Sequence, residues 1–479
     1  MQRKFITNLA FLLILNLLIK PFWVLGVDRA VQNAVGSVDY GFYFSLFNFS
    51  LLFNILLDCG ITNFNNKNIS QNNHLLNKHL SSIIVLRLFL LVLYMTVTLS
   101  AGLIIGYSNY QLWLLAILCI NQFLLYFILY LRSNIAGLHL FKTDSFISVL
   151  DRLMMIGLCL FLLWGPAKEV GFKIEWYIYT QTFAYFITAV ITLVIVIDKA
   201  KLKRLNVSRA FFMMILKNSY LYAVLVLLMT FYNRIDSVML ERLLPDGSFQ
   251  SGIYASAYRL LDAANMIAYL FSGLLLPIFS KMIKQKESVE ELTRLAFCLL
   301  VIPAMCVAAV SFFYKTEIMS LLYKEHIAES AMAFGVLMLC FIPVASTYIF
   351  GTLLTANGSL KQLNIIALSG MLINLSLDIA LIPQYKVVGA VIASLSAQLI
   401  TAVAQAWLAK YKFRFHNNPR FILAVISYIL LLLFITGGSR LLNVSWPVGM
   451  SLAIAGSIAA AFVLRLISIR QLVSIVKYG

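Results

Sequence analysis

Apolar runs long enough to cross a bilayer recur along the whole chain, and that recurrence leaves few folds open. A hydrocarbon core about 30 Å thick needs roughly 20 apolar residues in helical form. Such windows fall at 5–27, 40–62, 82–106, 111–131, 146–165, 175–197, 211–233, 253–280, 293–314, 332–354, 363–383, 387–409, 420–437 and 446–466. A soluble core could not hide them: 62% of the 479 residues are hydrophobic and only 12% are charged. Inside lipid each segment must satisfy its own backbone polar groups. The expected fold class is therefore all-α, a polytopic membrane protein of about 14 transmembrane helices.

The net charge of +18 would point to nucleic acid in a soluble chain. Here the basic residues sit in short loops, so no nucleic-acid partner is expected, and membrane lipids are the expected surroundings. With the N-terminus inside, the segments 63–81, 132–145, 198–210, 281–294, 355–362, 410–420 and the C-terminal tail face the cytosol. That arrangement places about 24 Lys and Arg inside and about 9 outside, the asymmetry that orients such chains. Both termini are expected to be cytosolic. No external loop is long enough to form a domain of its own.

A repeat organises the series. Gly36-Ser37-Val38-Asp39-Tyr40-Gly41-Phe42-Tyr43-Phe44-Ser45 and Gly247-Ser248-Phe249-Gln250-Ser251-Gly252-Ile253-Tyr254-Ala255-Ser256 share the pattern G-S-x-x-x-G-x-Y-x-S. Spans 1–6 and 7–12 then form two pseudo-symmetric six-helix lobes of like orientation, 1–197 and 211–409, joined by the basic linker 198–210. Spans 13 and 14, within 410–479, are an addition.

The second copy carries a charge into the membrane. Arg259 stands about seven residues past Gly252, roughly 10 Å along a helix rising about 1.5 Å per residue, and its counterpart in the first copy is Asn48. A charge at that depth costs about 3 kcal/mol, so it needs a wet cavity or a partner. Asp262, at i+3, is a salt-bridge or proton-site candidate. Lys20, just before Pro21, lies at a similar depth in span 1. One basic group per lobe, Arg259 and Lys20, could hold one anion between them; the alternative is that both snorkel to the headgroups or pair with Asp262 and Asp236. Arg87 and Lys217, nearer the cytosolic face, either snorkel or receive a substrate. Asp58 closes span 2, and Asp378 in span 11 either binds a cation or is a polar group satisfied between helices.

Catalysis has little to work with. No Walker A loop, H-E-x-x-H, G-x-S-x-G elbow or C-x-x-C pair is present, so a transporter is expected rather than an enzyme. No cofactor is called for beyond a coupling ion, H+ or Na+.

Three segments carry a resemblance. Ile235-Asp236-Ser237-Val238-Met239-Leu240 precedes Gly252-Ile253-Tyr254-Ala255-Ser256-Ala257-Tyr258-Arg259. Leu57-Asp58-Cys59-Gly60-Ile61 ends span 2, and Asn374-Leu375-Ser376-Leu377-Asp378 leads through Pro383 to Gly389-Ala390-Val391. Together they resemble the Wzx-type oligosaccharide-lipid flippases, in the superfamily that also holds multidrug/cation antiporters and lipid II flippases. The resemblance implies a polyprenyl-diphosphate-linked oligosaccharide as substrate, moved from the cytosolic to the external leaflet of the bacterial inner membrane for O-antigen or capsule biosynthesis. It also implies polysaccharide polymerase machinery as a partner. One departure stands out: relatives often carry a basic residue soon after the span 2 glycine, whereas this chain has Asn63, Asn65 and Asn66 before Lys67, in what reads as a polar cytosolic loop. Two other readings stay open, a cation-coupled multidrug antiporter and a membrane glycan polymerase or ligase.

Overall fold

The computed structural model describes residues 18–19, 21–62, 65, 69, 75–138, 140–165, 171–200, 209–416 and 418–467, and no strand occurs among them. A π-helical turn, Trp23–Asp28, opens into α1, Arg29–Leu52. Then come α2 (Leu75–Ile105), α3 (Asn109–Gly137), α4 (Phe141–Trp164), α5 (Ile174–Ala200) and α6 (Arg209–Leu243). The longer helices that follow are α7 (Gly247–Lys284), α8 (Glu290–Phe313), α9 (Ile327–Leu339), α10 (Phe341–Ala356), α11 (Leu360–Phe413), α12 (Pro419–Leu441) and α13 (Trp446–Val463), with short helices at Ile55–Asp58 and Lys315–Leu322.

Among the described residues, 11 helical stretches are long and apolar enough to cross a membrane. Two continuous helices conceal further turns. The 54-residue α11 breaks at Lys386 (φ 51°, ψ −131°), between the expected spans 11 and 12. Helix α1 breaks at Gly36 (φ 83°, ψ 170°), between the expected spans 1 and 2, in a conformation that glycine adopts without a Cβ penalty. The path therefore follows the expected series, although much of span 1 lies outside the described residues. Spans 7 and 8 run longer than their apolar windows: α6 reaches Leu243 and α7 starts at Gly247. A hydropathy window reports the lipid-facing stretch, whereas hydrogen bonding carries a helix on through polar residues such as Asn233 and Arg234.

The chain packs as two compact units, Met1–Gly252 and Ile253–Gly479. The division falls inside α7, and within the first unit α6 packs along α1. In the first unit α1 also lies on α3, which packs on α5, with α4 and α2 alongside. Lipid gives no hydrophobic drive for one helix to meet another, so interhelical packing and hydrogen bonds hold them. Asn48 Nδ2 donates to Ser237 Oγ (2.8 Å), Tyr94 Oη to the Ser50 carbonyl (2.6 Å) and Gln181 Nε2 to Tyr43 Oη (2.9 Å).

The two copies of the repeat meet in this unit, and they meet reciprocally. A Cβ on Gly41 would fall on the Ser248 carbonyl oxygen and 2.8 Å from Gly252 Cα. A Cβ on Gly252 would fall on the Ser37 carbonyl oxygen, 2.7 Å from its carbon. Ser37 and Gly41 correspond to Ser248 and Gly252 in the pattern, so each S-x-x-x-G presents its small face to the other. Gln32 Nε2 adds a bond to the Gly252 carbonyl (3.0 Å).

In the second unit α10 packs on α11, and α8 touches α9, α10, α12 and α13. The additional helices are held to α8 by a cluster that includes Ile302, Cys306, Tyr428, Leu432 and Ala453. Tyr314 and Ser439 share a hydroxyl–hydroxyl bond of 2.8 Å beside it. Their outer faces carry exposed Leu430, Phe434 and Val463, as a lipid-facing surface requires.

Candidate functional site

Arg259 stands where α7 emerges from cover. Residues 250–258 are buried without a break, whereas 259–266 are half-buried except for Leu261. Tyr254 stacks on Tyr258 (5.3 Å), and Tyr323 Oη donates to the Ser256 carbonyl (3.2 Å), which fixes the helix just before the arginine. Asp262 follows within the half-buried stretch. An arginine guanidinium carries a fork of five donors that matches the oxygens of a phosphate.

Of the other basic candidates, Lys20 lies outside the described residues. Lys217 belongs to α6, and its side chain is likewise outside the described set. Arg87 does not snorkel. It is 1% exposed, and Nη1 donates to the carbonyls of Leu57 (3.1 Å) and Tyr126 (3.2 Å). Nη2 bonds Asp58 Oδ1 (2.6 Å) and Thr62 Oγ1 (2.8 Å), and the guanidinium lies 4.8 Å from the centre of the Tyr130 ring. Asp58 is thus more than a helix end. It neutralises an arginine that ties the close of span 2 to α2 and α3. Removing one member of a buried ion pair strands the other, at a cost of about 3–5 kcal/mol. Arg87→Leu is expected to lower the detergent melting temperature by many degrees, and Arg87→Leu with Asp58→Leu to recover much of it. An unchanged melting temperature in the single variant would remove the pair from the stability of the fold. Beside it Asn65, part of the asparagine-rich segment expected to be a solvated loop, is 3% exposed. It donates to Ser133 Oγ and Asn134 Oδ1, both at 2.9 Å.

The acidic candidates divide by burial. Asp236 on α6 and Asp378 on α11 are both 0% exposed. Asn374, one turn before Asp378, is also fully buried, and among the described residues neither atom of its amide meets a hydrogen-bond partner. A buried, unsatisfied amide one turn from a carboxylate supplies oxygen donors of the kind hard cations take. No group of three His, Cys, Asp or Glu side chains is poised to hold a metal among the described residues.

One cluster went unnoticed in the sequence. Asp28, at the end of the π-helical turn, is 1% exposed and accepts hydroxyl bonds from Tyr40 (2.8 Å) and from Tyr177. Trp23 stacks on Tyr177 (5.9 Å), and the Arg152 guanidinium lies 5.7 Å from the Trp23 ring and 5.8 Å from the Tyr185 ring. The signal was available: Asp151 and Arg152 are ionisable residues inside an apolar window, and Asp28 borders another. π-Helical turns also gather at functional sites.

The family model described as "Polysaccharide biosynthesis protein" matches residues 7–283. The capsular polysaccharide biosynthesis protein CapF of Staphylococcus aureus is 24% identical over 178 residues, 37% of this chain. The match spans 44% of that relative's length. Among solved structures, the lipid II flippase MurJ in an inward closed conformation aligns with a TM-score of 0.69 at 14% identity, covering 96% of this chain and 100% of that one. A multidrug resistance MATE family transporter in its outward-facing conformation aligns at 0.61 with 12% identity, over 85% of this chain and 95% of its own. Its inward-facing counterpart scores 0.59 at 11% identity, over 85% and 98%. Identities this low speak for the fold alone, and the fold they share is the many-helix membrane architecture expected from the sequence.

Proposed function

Because the chain belongs to the polysaccharide biosynthesis protein family, we propose that it is a flippase for polyprenyl-diphosphate-linked oligosaccharides, carrying them from the cytosolic to the external leaflet. The observation that carries the proposal is Arg259, a half-buried arginine in the first half of a helix long and apolar enough to span a membrane. A diphosphate cannot enter hydrocarbon unaided, and a guanidinium offers it paired charge-assisted bonds in place of its water shell. The glycan follows the diphosphate, and the lipid tail stays in the bilayer. Alternating access, with the two lobes exposing the site first to one face and then to the other, moves the headgroup without opening a pore. Lys20 is a second candidate for contact with the substrate anion. Asp378, with Asn374, is the coupling-ion candidate for H+ or Na+.

Direction has a physical source. An inside-negative potential favours outward movement of an anion by about 2.3 kcal/mol per charge for each 100 mV, so no nucleotide is needed. The test is reconstitution into vesicles with a fluorescent polyprenyl-diphosphate sugar. Movement faster than in protein-free vesicles, accelerated by a potential of the stated sign and indifferent to nucleotide, is the expected result. Export of an organic cation such as ethidium against a sodium or proton gradient, with no movement of the sugar lipid, would establish the antiporter instead.

A further inference from the structure

Helix α11 ends in a cavity of about 600 Å³ lined by aromatic and cationic side chains together: Trp407, Lys410, Tyr411, Lys412, Arg414 and Phe415. The local sequence builds it. Trp407 and Tyr411, one turn apart, stack at 6.0 Å with their planes 13° from parallel, and both stay more than half exposed. Arg414 takes the left-handed conformation (φ 51°, ψ 44°) that stops the helix. The Phe415 amide then donates back to the Lys410 carbonyl (3.2 Å), which brings the chain round under the helix end. Lys410, Lys412 and Arg414 are all exposed, and Lys412 is steadied by a bond from Nζ to Ser359 Oγ (2.8 Å).

Both helices that flank this corner, α11 and α12, are membrane-crossing by length and composition, so the cavity lies at a water–lipid boundary. The six lining residues bring three cations and no carboxylate. Glu290, close by in the fold, is occupied by His416, whose amide and Nδ1 both lie 3.1 Å from its carboxylate oxygens. Free inorganic phosphate would need only the charges. The aromatic wall serves a ligand with an apolar part, and that wall continues: Ile400, Val403, Trp407 and Tyr411 form an exposed stripe at three- and four-residue spacing that leads from the hydrocarbon to the cations. The volume is within the range of about 300–1,000 Å³ found for small-ligand sites.

We propose that this corner binds the headgroup of an anionic glycerophospholipid. Lys410 and Arg414 hold its phosphate, and its acyl chains lie along the Ile400–Tyr411 stripe. Basic side chains at a membrane surface attract anionic lipid, and aromatic rings settle at headgroup depth, so both halves of the site favour the same occupant. Nothing in this assignment depends on what the protein transports.

Lipid-stripped protein in detergent is titrated with dioleoyl phosphatidylglycerol, dioleoyl phosphatidylcholine or inorganic phosphate, and bound lipid is counted by native mass spectrometry. Wild type is expected to retain the anionic lipid in preference to the zwitterionic one. Lys410→Gln with Arg414→Gln should weaken that retention by roughly thirtyfold, at about a factor of five per basic residue near a surface, without changing the phosphatidylcholine background. Trp407→Ala should also weaken it. Both changes are at exposed positions, so the lipid-free melting temperature should match wild type. Equal phosphatidylglycerol retention by wild type and the double variant would overturn the site. Inorganic phosphate stabilising the protein as strongly as phosphatidylglycerol, with Trp407→Ala silent, would overturn the lipid assignment in favour of a free anion.

Discussion

Arg259→Ala is expected to slow transbilayer movement of a polyprenyl-diphosphate sugar by roughly a hundredfold, and Arg259→Lys by roughly tenfold. Two charge-assisted bonds to a phosphate are together worth about 3 kcal/mol, and each 1.4 kcal/mol is a factor of ten. Lysine restores the charge at this half-buried point of α7 but presents it as a single compact ammonium, without the planar fork. The nearby Asp262 makes a control necessary, because an arginine can earn its place by neutralising a carboxylate. The two roles separate in a cycle with Asp262→Asn. If Arg259 serves the substrate, Arg259→Ala remains slow with Asp262→Asn added; if it serves only Asp262, the double variant regains transport. Wild-type rates in both the alanine and the lysine variants would take Arg259 out of the mechanism altogether.

Arg259 could be found in the sequence because a charge inside an apolar window has nowhere inexpensive to go. The same logic reached Arg87 but could not find its partners. Asp58 is 29 residues away and Tyr126 is 39, and no periodicity relates positions on three different spans. Asp28 was lost for another reason. It stands at the edge of its window, where a carboxylate reads as the end of a span, and the π-helical turn that buries it leaves no mark in composition. Asn65 shows the limit of polarity as a guide. An asparagine-rich run reads as solvated, yet one member is buried against Ser133 and Asn134. The order of helices was legible almost throughout, since each span declares itself by its own apolar length. The places where spans touch were not, because touching is decided by side chains far apart in the chain. The repeat is the exception: its two copies are alike in sequence and turn out to be each other's contact.

Gly41→Ala and Gly252→Ala are each expected to break that contact. Each added methyl would land on a backbone carbonyl oxygen, Ser248 in one case and Ser37 in the other, and backbone cannot rotate aside as a side chain can. Forcing atoms into such a space costs about 3 kcal/mol or more, so the start of α7 must part from α1. Both positions lie at the end of the helices that the basic loops assign to the outside. Under the proposed alternating-access cycle this clasp would close the external side, and a protein unable to close it would stall with that side open. Accessibility measures it directly. The natural cysteines of this chain are buried except for half-buried Cys59, so a single Ser248→Cys gives a nearly clean signal for a membrane-impermeant maleimide. Labelling from outside should be slow with glycine at position 41 and rise about tenfold or more with alanine, while transport falls to the protein-free level. Because the contact is reciprocal, the Gly41 and Gly252 variants should behave alike, and the double variant should be little worse than either single, since one lost clasp is lost only once. Rapid labelling in the glycine protein, equal to that of the alanine variants, would mean that the two segments do not close on one another in the membrane.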